Sequence, residues 1–322
     1  MVQAAIYGLE GLAPSPAEIA FFRDSDPWGF ILFARNIDTP DQVKRLTGAL
    51  RDAVGRDAPI LIDQEGGRVQ RLRPPHWREW PSMRDLVEGE PDEFALQTAI
   101  AARYSAIAAE LIAVGIDVNC VPVLDVPQPN AHPIIGDRAF GMTPADIAIR
   151  GREAAAALLA GGVLPVIKHL PGHGRALADS HESLPRVTAT MDELRTADFL
   201  PFRAMRDAAL GMTAHIVYDA IDPDACATLS PAAIRLIREE LGFDGLLMTD
   251  DISMGALDGP MADRVSNALA AGCDLVLHCN GEMPEMQTIA ANVAALTKVA
   301  SDRSDRALAL RQVSPDEVAH AV

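Results

Sequence analysis

The chain has 322 residues, of which 49% are hydrophobic and only 5% aromatic, enough apolar material for a large buried core. Its formal charge of −17, with 28 Lys and Arg that form no run, argues against a nucleic-acid binder and against an anionic membrane surface. No basic leader opens the sequence, and the longest nearly apolar stretch, 154–167, is too short for a bilayer, so a cytoplasmic protein is expected.

In chain order, strand-like runs fall at 5–9, 29–33, 60–64, 118–123, 163–168, 212–216, 246–249 and 275–278. Helical periodicity occupies 41–54, 94–114, 144–161, 191–209, 230–241, 261–271 and 284–299. Eight strands with interposed helices predict an α/β protein built as a (β/α)8 barrel of TIM type. With no linker, charge block or repeat to divide it, residues 1–322 are expected to form a single catalytic domain. An open doubly wound sheet would alternate similarly, but G-L-E-G-L-A at 8–13 does not fit the dinucleotide fingerprint. Cys120, Cys226, Cys273 and Cys279 are scattered without C-x-x-C spacing and read as reduced thiols.

Polar residues repeatedly follow an apolar strand. Asp63 ends the third, Asp125 follows the fourth, Lys168 and His169 end the fifth, His215 lies in the sixth and Asp250 ends the seventh. In a barrel these ends converge on one mouth, where active sites of this fold lie. Along the seventh strand, Asp250 and Asp251 should point in opposite directions, leaving Asp251 or Ser253 to cap the following helix. After the third strand, Asp63-Gln64-Glu65-Gly66-Gly67-Arg68 combines a fixed carboxylate with glycines that allow close approach of a ligand. The loop after the fourth carries Arg138 between glycines, where alone it reads as a solvated charge or an Asp137–Arg138 pair.

The stretch 163–181, V-L-P-V-I-K-H-L-P-G-H-G-R-A-L-A-D-S-H, gathers the densest chemistry on irregular backbone. His169, His173, Asp179 and His181 could ligate a metal, although Lys168 would repel a cation and the spacing fits no standard zinc motif. Alternatively, Asp179 accepts a hydrogen bond from His181 and the pair serves as general acid and base. His173 and His215 read as hydrogen-bonded structural residues.

The segments I-L-F-A-R-N (31–36), D-Q-E-G-G-R-V-Q-R (63–71), G-D-R-A-F-G (136–141), K-H-L-P-G-H-G (168–174), D-S-H (179–181), M-T-A-H-I-V-Y (212–218) and T-D-D-I-S-M (249–254) together resemble the family 3 glycoside hydrolases, specifically the bacterial β-N-acetylglucosaminidases of cell-wall recycling. The resemblance implies a retaining β-N-acetylhexosaminidase acting on muropeptides, N-acetylglucosamine linked to 1,6-anhydro-N-acetylmuramic acid with or without peptide. It implies Asp250 as nucleophile, His181 as acid/base and Asp179 as its partner, with Asp63, Arg71, Arg138, Lys168 and His169 binding the terminal sugar. The family usually carries Asn where this chain has Asp137, which could hold Arg138 back in an ion pair. His181 lies on an excursion expected to move when sugar binds. A small sugar or muropeptide is the only partner expected of a monomer that needs no cofactor, metal, nucleic acid or membrane. The alternatives are a phosphorolytic or β-glucosidase member of the same family, a sugar-binding protein without turnover and a metal-dependent hydrolase.

Overall fold

The apolar runs are buried strands in the computed structural model of the chain, which describes residues 1–180 and 183–312. The strands are β1 Gln3–Tyr7, β2 Pro27–Leu32, β3 Ile60–Ile62, β4 Val118–Asn119, β5 Leu164–Leu170, β6 Arg186–Val187, β7 Leu210–Thr213, β8 Val217–Tyr218, β9 Leu246–Asp251 and β10 Leu275–His278. Eight of them close in the order β1-β10-β9-β7-β5-β4-β3-β2, every pairing parallel, and helices surround them. The architecture is the TIM-type (β/α)8 barrel. Strands with side chains inside the barrel and under the helices are covered on both faces, which is why they read as continuous apolar runs instead of alternating ones. The small strands β6 and β8 pair outside the barrel. Among the described residues, no helix is long and apolar enough to cross a membrane.

The structure moves several expected boundaries. The fourth strand, expected at 118–123, is only Val118–Asn119, because Pro122 has no N–H to donate to a ladder; contact with β5 resumes at Val123 and Lys168. The sixth barrel strand ends at Thr213, so His215 lies just beyond it and not within it. The helix expected at 191–209 breaks into Met191–Glu193, a wider turn over Leu194–Asp198 in which Phe199 N donates to Leu194 O at 2.9 Å, and Leu200–Ala204. A similar widening after Pro231–Arg235 divides the segment at 230–241. The segment 284–299 is two helices, Met283–Asn292 and the start of Lys298–Ala309, the second capped by Thr297.

Two helices absent from the sequence reading, Pro16–Ser25 and Met83–Gly89, both begin in a capping box, Ser15 with Glu18 and Ser82 with Asp85. Ser15-Pro16, Thr39-Pro40, Thr143-Pro144 and Ser230-Pro231 start helices in the same way, the hydroxyl accepting from a first-turn N–H and proline filling a position that needs no donor. Helix Lys298–Ala309 packs back on the barrel through Trp28, whose indole N–H donates to Ser304 Oγ at 2.7 Å. All these connections leave the C-terminal ends of the barrel strands open on one side.

Candidate active site

A cleft of about 410 Å³ occupies that side, and Asp63, Arg71, Arg138, Lys168, His169 and Asp250 all line it. These residues come from four different segments, and the barrel brings them together because each follows or ends a strand. Lys168 and His169 directly precede Leu170, the last residue of β5, and their side chains are almost wholly buried. Asp63 follows β3, Arg71 stands at the far end of the same turn and Arg138 lies on the loop after β4.

Their charges are tightly matched. Lys168 Nζ donates to Asp63 Oδ1 at 2.9 Å and sits 2.8 Å from Glu65 Oε1. Arg71 Nη2 donates to Asp63 Oδ2 at 3.1 Å. Arg138 forms a two-pronged pair with Glu65, Nε to Oε2 at 2.9 Å and Nη2 to Oε1 at 2.8 Å. Burial works against ionisation of Asp63 and Glu65, but the neighbouring cations outweigh it: Asp63 is held well below the usual carboxylate range by Lys168 and Arg71, and Glu65 at about 2 by Arg138 and Lys168. Lys168 is likewise opposed by burial, yet Asp63 and Glu65 raise its pKa above the ordinary lysine value.

Asp137 does not hold Arg138 back. It pairs instead with Arg68 at 2.9 Å, while Arg138 reaches Glu65 on the neighbouring loop. Sequence proximity alone suggested the wrong partner.

A second carboxylate lies behind His169. Asp125, fully buried, accepts His169 Nδ1–H at 2.7 Å on Oδ2 and the backbone N–H groups of His169 and His173 on Oδ1 at 3.2 and 2.6 Å. Its pKa is lowered by His169 and His173 in spite of burial. The bond to Nδ1 fixes the imidazole's tautomer and orientation. His173 packs edge-on to His169, 5.5 Å between ring centres, and its Nε2 lies 3.1 Å from Ser180 Oγ. Burial, aided by His169, depresses the His173 pKa to about 4, so it is neutral near pH 7. His215 is also pushed down by burial; Nε2 donates to Asp251 O at 2.9 Å and Nδ1 lies 2.7 Å from Thr228 Oγ1. Both histidines are buried and hydrogen-bonded, and His173 also lines the cleft.

Asp250 and Asp251 are both among the residues that line the cleft. Asp251 N–H donates to Asp250 Oδ1 at 2.8 Å, while Asp251 Oδ1 accepts from Ser253 N and Cys279 N, each at 3.1 Å. Asp251 caps no helix, because a chain of turns intervenes before Met261–Ala271 begins at Pro260. Asp179 is half-buried and is not among the cleft's lining residues, whereas the adjacent Ser180 is. His181 lies outside the described residues. Among the described residues, no three or more His, Cys, Asp or Glu are grouped so as to hold a metal ion.

Residues 17–310 match the family model described as Glycosyl hydrolase family 3 N terminal domain. The chain belongs to glycosyl hydrolase family 3. Two relatives named beta-hexosaminidase match this family 3 chain over most of its length and most of their own. That of Methylococcus capsulatus is 39% identical over 310 residues, 94% of this chain and 90% of its own. That of Idiomarina loihiensis is 36% identical over 283 residues, 87% of this chain and 84% of its own. Native NagZ from Neisseria gonorrhoeae has a TM-score of 0.86 at 29% identity over 99% of this chain and 96% of that one. A family 3 beta-N-acetylglucosaminidase from Paenibacillus sp. str. FPU-7 has a TM-score of 0.83 at 31% identity over 98% of this chain, which spans 62% of that longer protein. The family 3 chain is thus a glycoside hydrolase grouped with the β-hexosaminidases.

Glu65 and Asp125 are the groups at this family 3 site that the sequence reading left without a role. For Glu65 a signal existed: it stands two residues beyond Asp63, a spacing that returns a side chain to the same side of extended backbone.

Proposed function

We propose that this chain is a retaining β-N-acetylhexosaminidase that releases terminal β-linked N-acetylglucosamine from muropeptides, N-acetylglucosamine on 1,6-anhydro-N-acetylmuramic acid with or without peptide. The observation that carries the reading is the convergence of Asp250 with Asp63, Arg71, Arg138, Lys168 and His169 on one cleft. In the proposed reaction an Asp250 oxygen attacks the anomeric carbon, forming a glycosyl ester as the glycosidic C–O bond breaks. Protonated His181, oriented by Asp179, gives its proton to the departing oxygen. Neutral His181 then takes a proton from water, whose oxygen attacks the anomeric carbon and returns Asp250 as carboxylate. Asp63, Arg71, Arg138, Lys168 and His169 bind the hydroxyls of the terminal sugar, for which their paired but directional donors and acceptors are suited. The cations on the cleft wall also suit an anionic leaving half in a chain of net charge −17.

The proposal extends to a single catalytic domain acting in the cytoplasm as a monomer. Purified protein incubated with muropeptides should release N-acetylglucosamine, read by mass spectrometry, and a 2-fluorinated sugar should label Asp250. Label on another residue overturns the nucleophile assignment, and products bearing a sugar phosphate when phosphate is supplied would favour phosphorolysis.

A further inference from the structure

We propose that Glu65 is a positioning residue for sugar recognition, holding the Lys168 ammonium and the Arg138 guanidinium at a fixed separation from behind the cleft without touching substrate. The inference rests on the reading that Lys168 and Arg138 bind the sugar. Both cations line the cleft, whereas Glu65 does not, and its side chain is 7% exposed. Glu65 Oε1 receives both of them, Lys168 Nζ and Arg138 Nη2 at 2.8 Å each. The five groups form an alternating line, Arg71, Asp63, Lys168, Glu65, Arg138, that ties the turn after β3 to the end of β5 and the loop after β4. Without Glu65, three cations would face one carboxylate in a largely buried wall.

Two physical effects follow. Lys and Arg side chains lose much rotamer entropy when fixed. Here the carboxylates have fixed them in advance, so a ligand need not supply that ordering. Lys168 also donates one N–H to Asp63 and is held by charge against Glu65, which restricts the directions left to its other N–H groups.

Glu65 is itself held from outside the cleft. Its N–H donates to Val69 O at 2.9 Å, and its carbonyl accepts from the Arg103 guanidinium, which is buried and also donates to Pro81 O at 2.9 Å. Gly66 adopts φ +103°, and a Cβ there would lie 1.8 Å from Arg103 Nη2, so the close approach of Arg103 requires glycine at this point.

Glu65→Gln tests the proposal. Affinity for free N-acetylglucosamine, by calorimetry, and KM for an aryl N-acetylglucosaminide are expected to weaken about tenfold or more, with kcat within about threefold, since an unpaired buried charge is costly yet no reacting group is lost. A purely structural role would lower Tm and the folded fraction but leave KM and sugar affinity of the folded protein unchanged, and that result overturns the proposal. Should Glu65→Gln not fold, Glu65→Asp, with its charge kept but its reach shortened by one methylene, is expected to raise KM about threefold, and an unchanged KM overturns the proposal equally. Wild-type protein that neither binds nor cleaves these sugars overturns the glycosidase reading and this inference together. An active wild type whose Glu65 variants keep its KM removes this inference alone.

Discussion

The two ends of the barrel use the same chemistry for different ends. At the base, Asp117 precedes β4 and Asp274 precedes β10, and each carboxylate gathers one strand N–H and two guanidiniums. Asp117 accepts from Ile60 N at 2.7 Å, Arg51 Nη2 at 3.0 Å and Arg311. Asp274 accepts from Leu247 N at 2.9 Å, Arg238 Nη2 at 2.6 Å and Arg303 Nη1 at 3.0 Å. At the mouth, Asp63 and Glu65 are as fully engaged, yet Asp63, Lys168 and Arg138 also present a face to the cleft. An ionisable residue at a strand end is therefore no sign of function by itself. What separates the two ends is whether an open, shaped space adjoins the pairs.

The comparison can be broken from either end. Asp250→Asn should lower kcat by about 10³-fold or more if that residue forms the glycosyl ester, with thermal denaturation close to wild type; retained turnover would remove the mouth's chemical distinction. Asp117→Ala should do the reverse, costing about 3 kcal/mol of unfolding free energy by depriving the buried Ile60 N–H of its acceptor and leaving Arg51 and Arg311 only the exposed Asp57, while kcat/KM of the folded protein stays within twofold. A matching loss of activity would mean that the base communicates with the cleft.

If Asp63 binds the sugar as proposed, Asp63→Asn is expected to reduce kcat/KM about a hundredfold, because it also unbalances Lys168 and Arg71 together. The smallest effect is on acid stability. The folded pKa of Glu65 lies at about 2, below its ordinary 4.5, so its ionised pairing stabilises the fold fully above pH 4.5 and is lost as pH falls toward 2. Asp63 is depressed in the same direction. Urea denaturation between pH 6 and pH 3 should therefore show a shallower loss of stability for Glu65→Gln than for wild type, and equal slopes would contradict the charge assignment.

Much of this barrel was legible because buried parallel strands leave unmistakable apolar runs, and every one of the eight expected runs contributes a barrel strand. Local interruptions were not: the widened turns at Leu194–Asp198 and Leu236–Glu240 depend on packing, and the short helix Pro16–Ser25 fully buries just one apolar side chain, Phe22. At the site, positions after strands announced Asp63, Lys168, His169 and Asp250. The pairing of Arg138 with Glu65 instead of Asp137 could not be read in the same way, since the two partners stand 73 residues apart and meet only because adjacent strands of the barrel release their loops side by side. His181 lies outside the described residues.

The small β6–β8 ladder, with Arg186 opposite Val217 and Val187 opposite Tyr218, brings the excursion after β5 back to the body, and the Tyr218 hydroxyl donates to Gly172 O near its departure. A segment stitched at both of its roots can change length in evolution at little thermodynamic penalty, because doubling a flexible loop costs only about 0.6 kcal/mol of closure entropy. The stretch between these roots, which carries Asp179, can therefore change in length without disturbing the cleft wall that β5 supplies through Lys168 and His169.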